Sequence, residues 1–190
     1  MRIIGGRLRG LRFAGPLTDA TRPTPERARE GIASALEVRG AFDGALVLDL
    51  FAGTGALSFE ALSRGAQCAL LVEKDVKVLR SAVRSARALK IQDRITTLSL
   101  DLFQNPAYIA TRIALIDGKP FSLVFADPPY CDGDKLTPLL KELATLGRLR
   151  SGCLLAIEHA TGHPPKEIEQ LGSVDSYRYG DTAIALIRLS

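Results

Sequence analysis

Two short segments of this chain carry residue types suited to chemistry on a planar amine: Asp127-Pro128-Pro129-Tyr130 and Asp49-Leu50-Phe51-Ala52-Gly53-Thr54-Gly55. An exocyclic base amine is a poor nucleophile, because its lone pair is delocalised into the ring. An enzyme must therefore hold the nitrogen with acceptors placed for a pyramidal transition state. The Asp127 side chain and the Pro128 carbonyl supply two such acceptors, and the consecutive prolines stiffen the turn and restrict where that carbonyl points. Tyr130 offers a flat face on which an extruded base can stack. The plainer reading of the same residues is a rigid strand-end turn with a core tyrosine.

The second segment weakens that plainer reading. A G-x-G turn between a strand and a helix lets backbone come close to a ligand, since a side chain at Gly53 or Gly55 would block it. Dinucleotide-binding turns share this feature, and Glu73 lies near the spacing of about 20 residues expected of a ribose-binding acid. But Ser58 stands where that fingerprint has its third glycine, and Asp49 precedes the turn, where a carboxylate meets a cation better than a pyrophosphate. A ligand with an ammonium, a sulfonium and ribose hydroxyls suits such a site, and S-adenosylmethionine has all three.

These segments need a scaffold, and the hydropathy pattern supplies one. Apolar runs at 45–50, 68–73, 95–100, 121–126, 154–158 and 183–189 read as strands, and segments at 56–64 and 75–89 read as helices between them. Strands apolar on both faces and alternating with helices indicate a parallel sheet covered on both sides. Four strands end in Asp49, Glu73, Asp101 and Asp127. In open α/β sheets ligands bind beyond the carboxyl ends of the strands, so these four acids are expected in register around one crevice. Upstream, Gly5-Gly6 and Gly10 punctuate a short hairpin, residues 16–23 are linker, and Thr24-Pro25 opens a helix that should end before Gly40. Tyr177 and Tyr179 alternate on a further strand as packing residues, and the 103–120 segment has no clear assignment.

The 190 residues suffice for one domain with its own core. The net charge of +4 is carried entirely by residues 1–30, where Arg2, Arg7, Arg9, Arg12, Arg22, Arg27 and Arg29 outweigh Asp19, Glu26 and Glu30. An arginine-rich arm on a neutral body reads either as a phosphate-backbone contact or as a solvated arm. The helix bearing Lys74, Lys77, Arg80, Arg84, Arg87 and Lys90 has the same two readings, the solvated face being the better. Cys68, Cys131 and Cys153 are far apart, and His159 and His163 precede Pro164-Pro165, so no metal ligand set is expected. No run approaches the ~20 apolar residues of a membrane span, and the N-terminus has no signal-peptide core, which places the chain in the cytoplasm with no membrane partner.

The D-L-F-A-G-T-G and D-P-P-Y pair resembles the class I methyltransferase signature in its amino-methylating branch. Further matches narrow the likeness: M-R-I-I-G-G-R-L-R-G at the start, R-P-T-P at 22–25 with Arg29-Glu30, Leu57 with E-A-L-S-R-G at 60–65, and Y-G-D-T at 179–182. Together they resemble the RsmD family, bacterial 16S ribosomal RNA guanine-N2 methyltransferases, over nearly the whole chain. The resemblance implies a doubly wound, Rossmann-like, seven-stranded sheet whose last strand is antiparallel, over residues 21–190. Residues 1–20 would form a small basic RNA-binding hairpin appendage. It implies that Asp49, Phe51, Gly53 and Gly55 wrap the methionine end of S-adenosylmethionine, that Glu73 takes the ribose hydroxyls, and that Asp101 and Leu102 face the adenine. Asp127, Pro128, Pro129 and Tyr130 would hold the guanine, Arg22 and Thr24 would lie near the active site, and Arg2, Arg7, Arg9 and Arg12 would grip 16S rRNA in a small subunit or assembly intermediate. Nothing in the family pattern demands more than a monomer, and no metal is implied. The same turn serves adenine N6, cytosine N4 and glutamine amides, so these stay open as substrates. A nicotinamide dehydrogenase fits less well, and a non-catalytic RNA-binding relative would have little reason to keep Gly53, Gly55, Glu73 and Asp127.

Overall fold

In the computed structural model, which describes residues 1–15, 26–116, 118–128 and 135–190, the apolar runs pair into one seven-stranded sheet of order β3-β2-β1-β4-β5-β7-β6. β1 (Leu46–Leu50), β2 (Cys68–Glu73), β3 (Ile95–Ser99), β4 (Phe121–Ala126) and β5 (Leu149–Ala160) are mutually parallel. β7 (Thr182–Leu189) runs antiparallel to both β5 and β6 (Gly172–Tyr179). The antiparallel last strand is therefore as the resemblance implied.

Each face of the sheet carries its own core, because alternate residues along each strand point to opposite sides. Val47, Leu71, Leu123 and Ala156 face α1 (Glu26–Val38), α2 (Ala56–Ser63) and α3 (Val76–Ala88), which contribute Leu36, Phe59 and Leu79. Leu48, Val72, Val124 and Leu155 face α4 (Pro106–Ala114) and α5 (Leu136–Thr145), with Ile113 and Leu140 among them. The chain winds outward from β1 to β3 under one helical layer, then crosses back to place β4 on the other side of β1. The strand order thus reverses between β1 and β4, the topological switch point of such sheets.

Local chemistry explains the boundaries. Asp75 caps α3, its carboxylate accepting from the backbone N–H groups of Lys77 (2.7 Å) and Val78 (3.4 Å). Asn105 caps α4 through the Tyr108 N–H, with Pro106 at the first helical position. That helix occupies the segment with no clear sequence assignment, and α5 was not foreseen either. Thr24 and Pro25, expected to open α1, lie outside the described residues. β5 is far longer than the 154–158 run, starting at Leu149 beyond a register irregularity opposite β4. Tyr177 and Tyr179 are half-buried against the core, and the Tyr177 hydroxyl accepts from Arg39 at 2.9 Å.

The N-terminal hairpin is an appendage, but a firmly seated one. Its strands meet at an antiparallel bridge between Arg2 and Arg12, with Ile3 N–H bonded to Leu11 C=O and Phe13 N–H to Met1 C=O. Ile3 and Phe13 are buried in the same cluster as α2, and the Phe13 ring meets Phe59 edge-on at 5.3 Å. Glu60, itself 2% exposed, accepts from the Ile4 N–H (2.9 Å), the Gly5 N–H (2.8 Å) and the Arg64 guanidinium (2.8 Å). Ile3 and Phe13 face inward and the arginines outward: Arg2, Arg7, Arg9 and Arg12 are all exposed.

Candidate active site

The end of β1 builds the floor of the crevice. Asp49 sits inside the strand and is only 3% exposed, with the Ser58 hydroxyl donating to its carboxylate at 2.6 Å. Burial pushes the Asp49 carboxyl up to about 7; the Ser58 bond opposes this, and the nearby charges of Asp127 and Glu73 reinforce it. Beyond Asp49 the backbone turns sharply. Phe51 takes a left-handed φ of 63°, a conformation costing about 1–2 kcal/mol for a residue with a Cβ. The turn is pinned on both sides, by the Ala52 N–H bond to Val72 C=O and by the Gly55 N–H bond to Ala52 C=O.

The two glycines have different reasons. Gly55 has φ 79° at the start of α2, and a Cβ there would stand 2.9 Å from the Phe59 ring and 3.0 Å from Leu71, so the position is closed by packing. At Gly53, φ 51°, a Cβ would meet nothing nearer than the Phe51 carbonyl at 3.9 Å. That side is open, and glycine keeps it free for a close approach. The Gly53 N–H donates to one oxygen of Glu73 (3.2 Å) and the Asp75 N–H to the other (3.1 Å), which orients the carboxylate while leaving acceptor capacity on both oxygens.

The four strand-end acids are staggered, which corrects the expectation that they lie in register. Asp49 pairs across β1 with Leu71 and Phe125, so Glu73 and Asp127 lie two residues further along their strands, and Glu73 pairs with Ser99, two residues before Asp101. Four carboxylates at one level would repel one another strongly; the stagger makes Asp49 the floor, Glu73 and Asp127 the walls and Asp101 the outer rim. Asp101 accepts from the Phe103 N–H at 3.0 Å, holding Phe103 at the rim, where its ring lies 5.5 Å from that of Phe51. The ammonium groups of Lys74 and Lys135 lie 5.5 and 5.6 Å from the Phe103 ring. The Leu102 side chain is 4% exposed inside the second core, so only its backbone can face a ligand.

Asp127 is half-buried and Pro128 buried at the mouth of β4, while Pro129, Tyr130, Arg22 and Thr24 lie outside the described residues. His159 is a β5 residue and His163 follows in a turn, so the two do not share a helix. Among the described residues, no three His, Cys, Asp or Glu side chains gather as a metal site, and no helix is long and apolar enough to cross a membrane.

Sequence reasoning overlooked Ser58, Phe103 and Glu60. Ser58 was noticed for the glycine it replaces, and its role as donor to Asp49 needs the turn of α2 that stacks it over the strand. Phe103 fell in an unassigned segment. Glu60 stands in a quoted motif, but its two backbone partners are more than 50 residues away.

The family described as Conserved hypothetical protein 95 matches residues 1–188. The ribosomal RNA small subunit methyltransferase D of Escherichia coli (strain K12) is 34% identical, covering 83% of this chain and 74% of that protein. The Bacillus subtilis (strain 168) protein YlbH is 30% identical over 99% of this chain and 98% of its own. The structure of the Escherichia coli protein yhhF superposes with a TM-score of 0.80 at 30% identity, covering all of this chain and 98% of that one. With its class I sheet, its glycine turn and its acidic strand ends, the chain belongs to this family, the RsmD family of methyltransferases.

Proposed function

We propose that this chain transfers the methyl group of S-adenosylmethionine to the exocyclic N2 amine of a guanine in 16S ribosomal RNA. It would act as a cytoplasmic monomer on the small subunit or one of its assembly intermediates. The observation that carries this reading is the convergence at the switch point, where the ends of β1, β2 and β4 bring Asp49, Glu73 and Asp127 around the open side of Gly53. The Escherichia coli relative, by its name a ribosomal RNA small subunit methyltransferase, supports RNA as the substrate class.

The donor set fits the cofactor. Asp49 is a buried carboxylate that accepts from the Ser58 hydroxyl, which suits an ammonium, and the spare acceptor sites of Glu73 suit vicinal hydroxyls. Phe51 and the Gly53 and Gly55 backbone would complete the methionine end, with Asp101 and the Leu102 backbone toward the adenine. Bound S-adenosylmethionine supplies a methyl group already activated by the sulfonium charge, so the chemistry calls on no metal. The protein's task is to hold the amine in line. The Asp127 carboxylate and the Pro128 carbonyl accept from the N2 hydrogens and favour the pyramidal nitrogen, while Pro129 stiffens the turn and Tyr130 stacks on the base. Because the amine's proton becomes acidic as the N–C bond forms, no strong base is needed. Arg2, Arg7, Arg9 and Arg12 of the hairpin at 1–20, with Arg22 and Thr24 of the body at 21–190, would contact the RNA.

The deciding experiment is tritium transfer from labelled S-adenosylmethionine to small subunits from a strain lacking the enzyme, followed by nucleoside analysis. Label in N2-methylguanosine is the expected result. Label in another nucleoside would move the target atom, and cofactor binding without any RNA label would turn attention to DNA and protein amides.

A further inference from the structure

Outside the crevice, α3 and the sheet's edge strand β3 enclose an open groove of about 480 Å³. One wall is a row of arginines, Arg80, Arg84 and Arg87; the other carries the hydroxyls of Thr97 and Ser99; Val83 lies between. At ~100° per residue the three arginines fall within about 60° of one another on the helix, and at ~1.5 Å per residue they span about 10 Å. All three are exposed, and none makes a side-chain hydrogen bond or ion pair among the described residues. Among the described residues no carboxylate lines the groove, and α3 contains no acidic residue.

A merely solvated helix face usually mixes signs, since like charges three and four residues apart destabilise a helix by a few tenths of a kcal/mol per pair. Here such repulsion goes unrelieved along the groove wall. Guanidinium forks match phosphate oxygens, and strand hydroxyls opposite them add donors. β3 is also the sheet's edge, so its outer backbone groups have no strand partner among the described residues. One end of the groove lies beside the active site, since its lining residue Ser99 is the register partner of Glu73. The hairpin also touches α3, on its buried side, the Ala14 N–H donating to the Ser85 hydroxyl at 3.2 Å.

We infer that this groove is a second RNA-docking surface, in which Arg80, Arg84 and Arg87 grip successive phosphates of the substrate strand flanking the target base. The inference rests on the RNA reading of the active site. Its length, its continuity with the crevice and its single sign of charge favour a strand of RNA over an isolated phosphate, which would engage one arginine pair and need no 10 Å row.

The test compares wild type with R80Q/R84Q/R87Q and R80K/R84K/R87K. Glutamine and lysine are good helix formers and the sites are exposed, so unchanged circular dichroism is expected. Filter binding of small-subunit rRNA across a KCl series should show the glutamine variant about tenfold or more weaker, with the log–log salt slope reduced by about 2. The lysine variant should keep most of the slope. KM for small subunits should rise in the glutamine variant while kcat at saturation and S-adenosylmethionine affinity hold. A wild-type slope and KM in the glutamine variant would overturn the proposal. If instead the slope falls as expected but the wild-type protein labels no RNA, the groove stands and the assigned reaction fails.

Discussion

Asp49 is buried at the floor of the crevice, and its titration makes the site testable. Its carboxyl is pushed from about 4 up to about 7 by burial. A folded value above the unfolded one means the native protein retains a proton that the unfolded chain has released. The stability cost of Asp49 is therefore absent at low pH, grows as pH rises from about 4 to about 7, and levels off above. Thermal melts of the cofactor-free protein should show this downward slope, and Asp49→Asn should lose it. Cofactor binding should run the other way. An ammonium prefers the ionised carboxylate, so affinity should rise by up to about tenfold per unit as pH approaches 7 and then flatten. Calorimetry between pH 5.5 and 8.5 checks this, and a flat wild-type profile would remove Asp49 from the ammonium site. The walls divide the labour differently. Asp127→Ala should leave S-adenosylmethionine binding within a few-fold while lowering single-turnover transfer by about a hundredfold or more. Glu73→Ala should instead weaken the cofactor itself. Full activity in Asp127→Ala would end its role as acceptor.

At the scale of elements, the hairpin depends on α2. Glu60 joins two hairpin N–H groups to Arg64, whose side chain is only 8% exposed. Glu60→Ala would leave those donors unpaired in a largely buried setting. Arg64 keeps Glu37 as a partner, so the loss is mainly that of the two hairpin N–H groups left unpaired, about 1–3 kcal/mol each, or roughly 10 °C in Tm for a domain of this size. The variant should also become sensitive to trypsin at Arg7 and Arg9, and Glu60→Gln, which keeps one acceptor, should fall between. A Tm within a degree of wild type would mean that the packing of Ile3 and Phe13 and the Ser63 hydroxyl bonds to Leu8 and Gly5 seat the hairpin without Glu60. The elements were unequally legible. β2 and β4 could be bounded to the residue, because a buried parallel strand reads as an uninterrupted apolar run between polar turns. α4 and α5 could not, since their apolar residues are short interrupted stripes whose helical state is decided by packing against the second core.

For the whole molecule, the question is how a neutral body presents a basic surface to RNA. The hairpin arginines Arg7, Arg9 and Arg12 are exposed and without an ion pair among the described residues, whereas Arg2 is bonded to Glu26 at 3.2 Å. Substituting Arg7, Arg9 and Arg12 with Gln should therefore weaken rRNA binding and reduce its salt slope by about 2, leaving cofactor affinity intact. An unchanged slope would make these arginines bystanders. Deleting residues 1–15 is the wrong experiment, because it uncovers the core around Ile3 and Phe13 and strips Glu60 of its partners.

The sequence by itself determined the strand–helix alternation, the glycine turn after Asp49, the acids at four strand ends and the concentration of charge in the first 30 residues. These follow from local pattern: apolar periodicity, turn residues and charge are properties of neighbours along the chain. Only the tertiary structure decided the stagger of the four acids, the burial that raises Asp49, the Ser58 bond, the seating of the hairpin on Glu60 and the groove between α3 and β3. Each of these depends on residues brought together from distant parts of the chain. Register, desolvation and long-range hydrogen bonds are set by how whole elements pack, and no local window of sequence contains them.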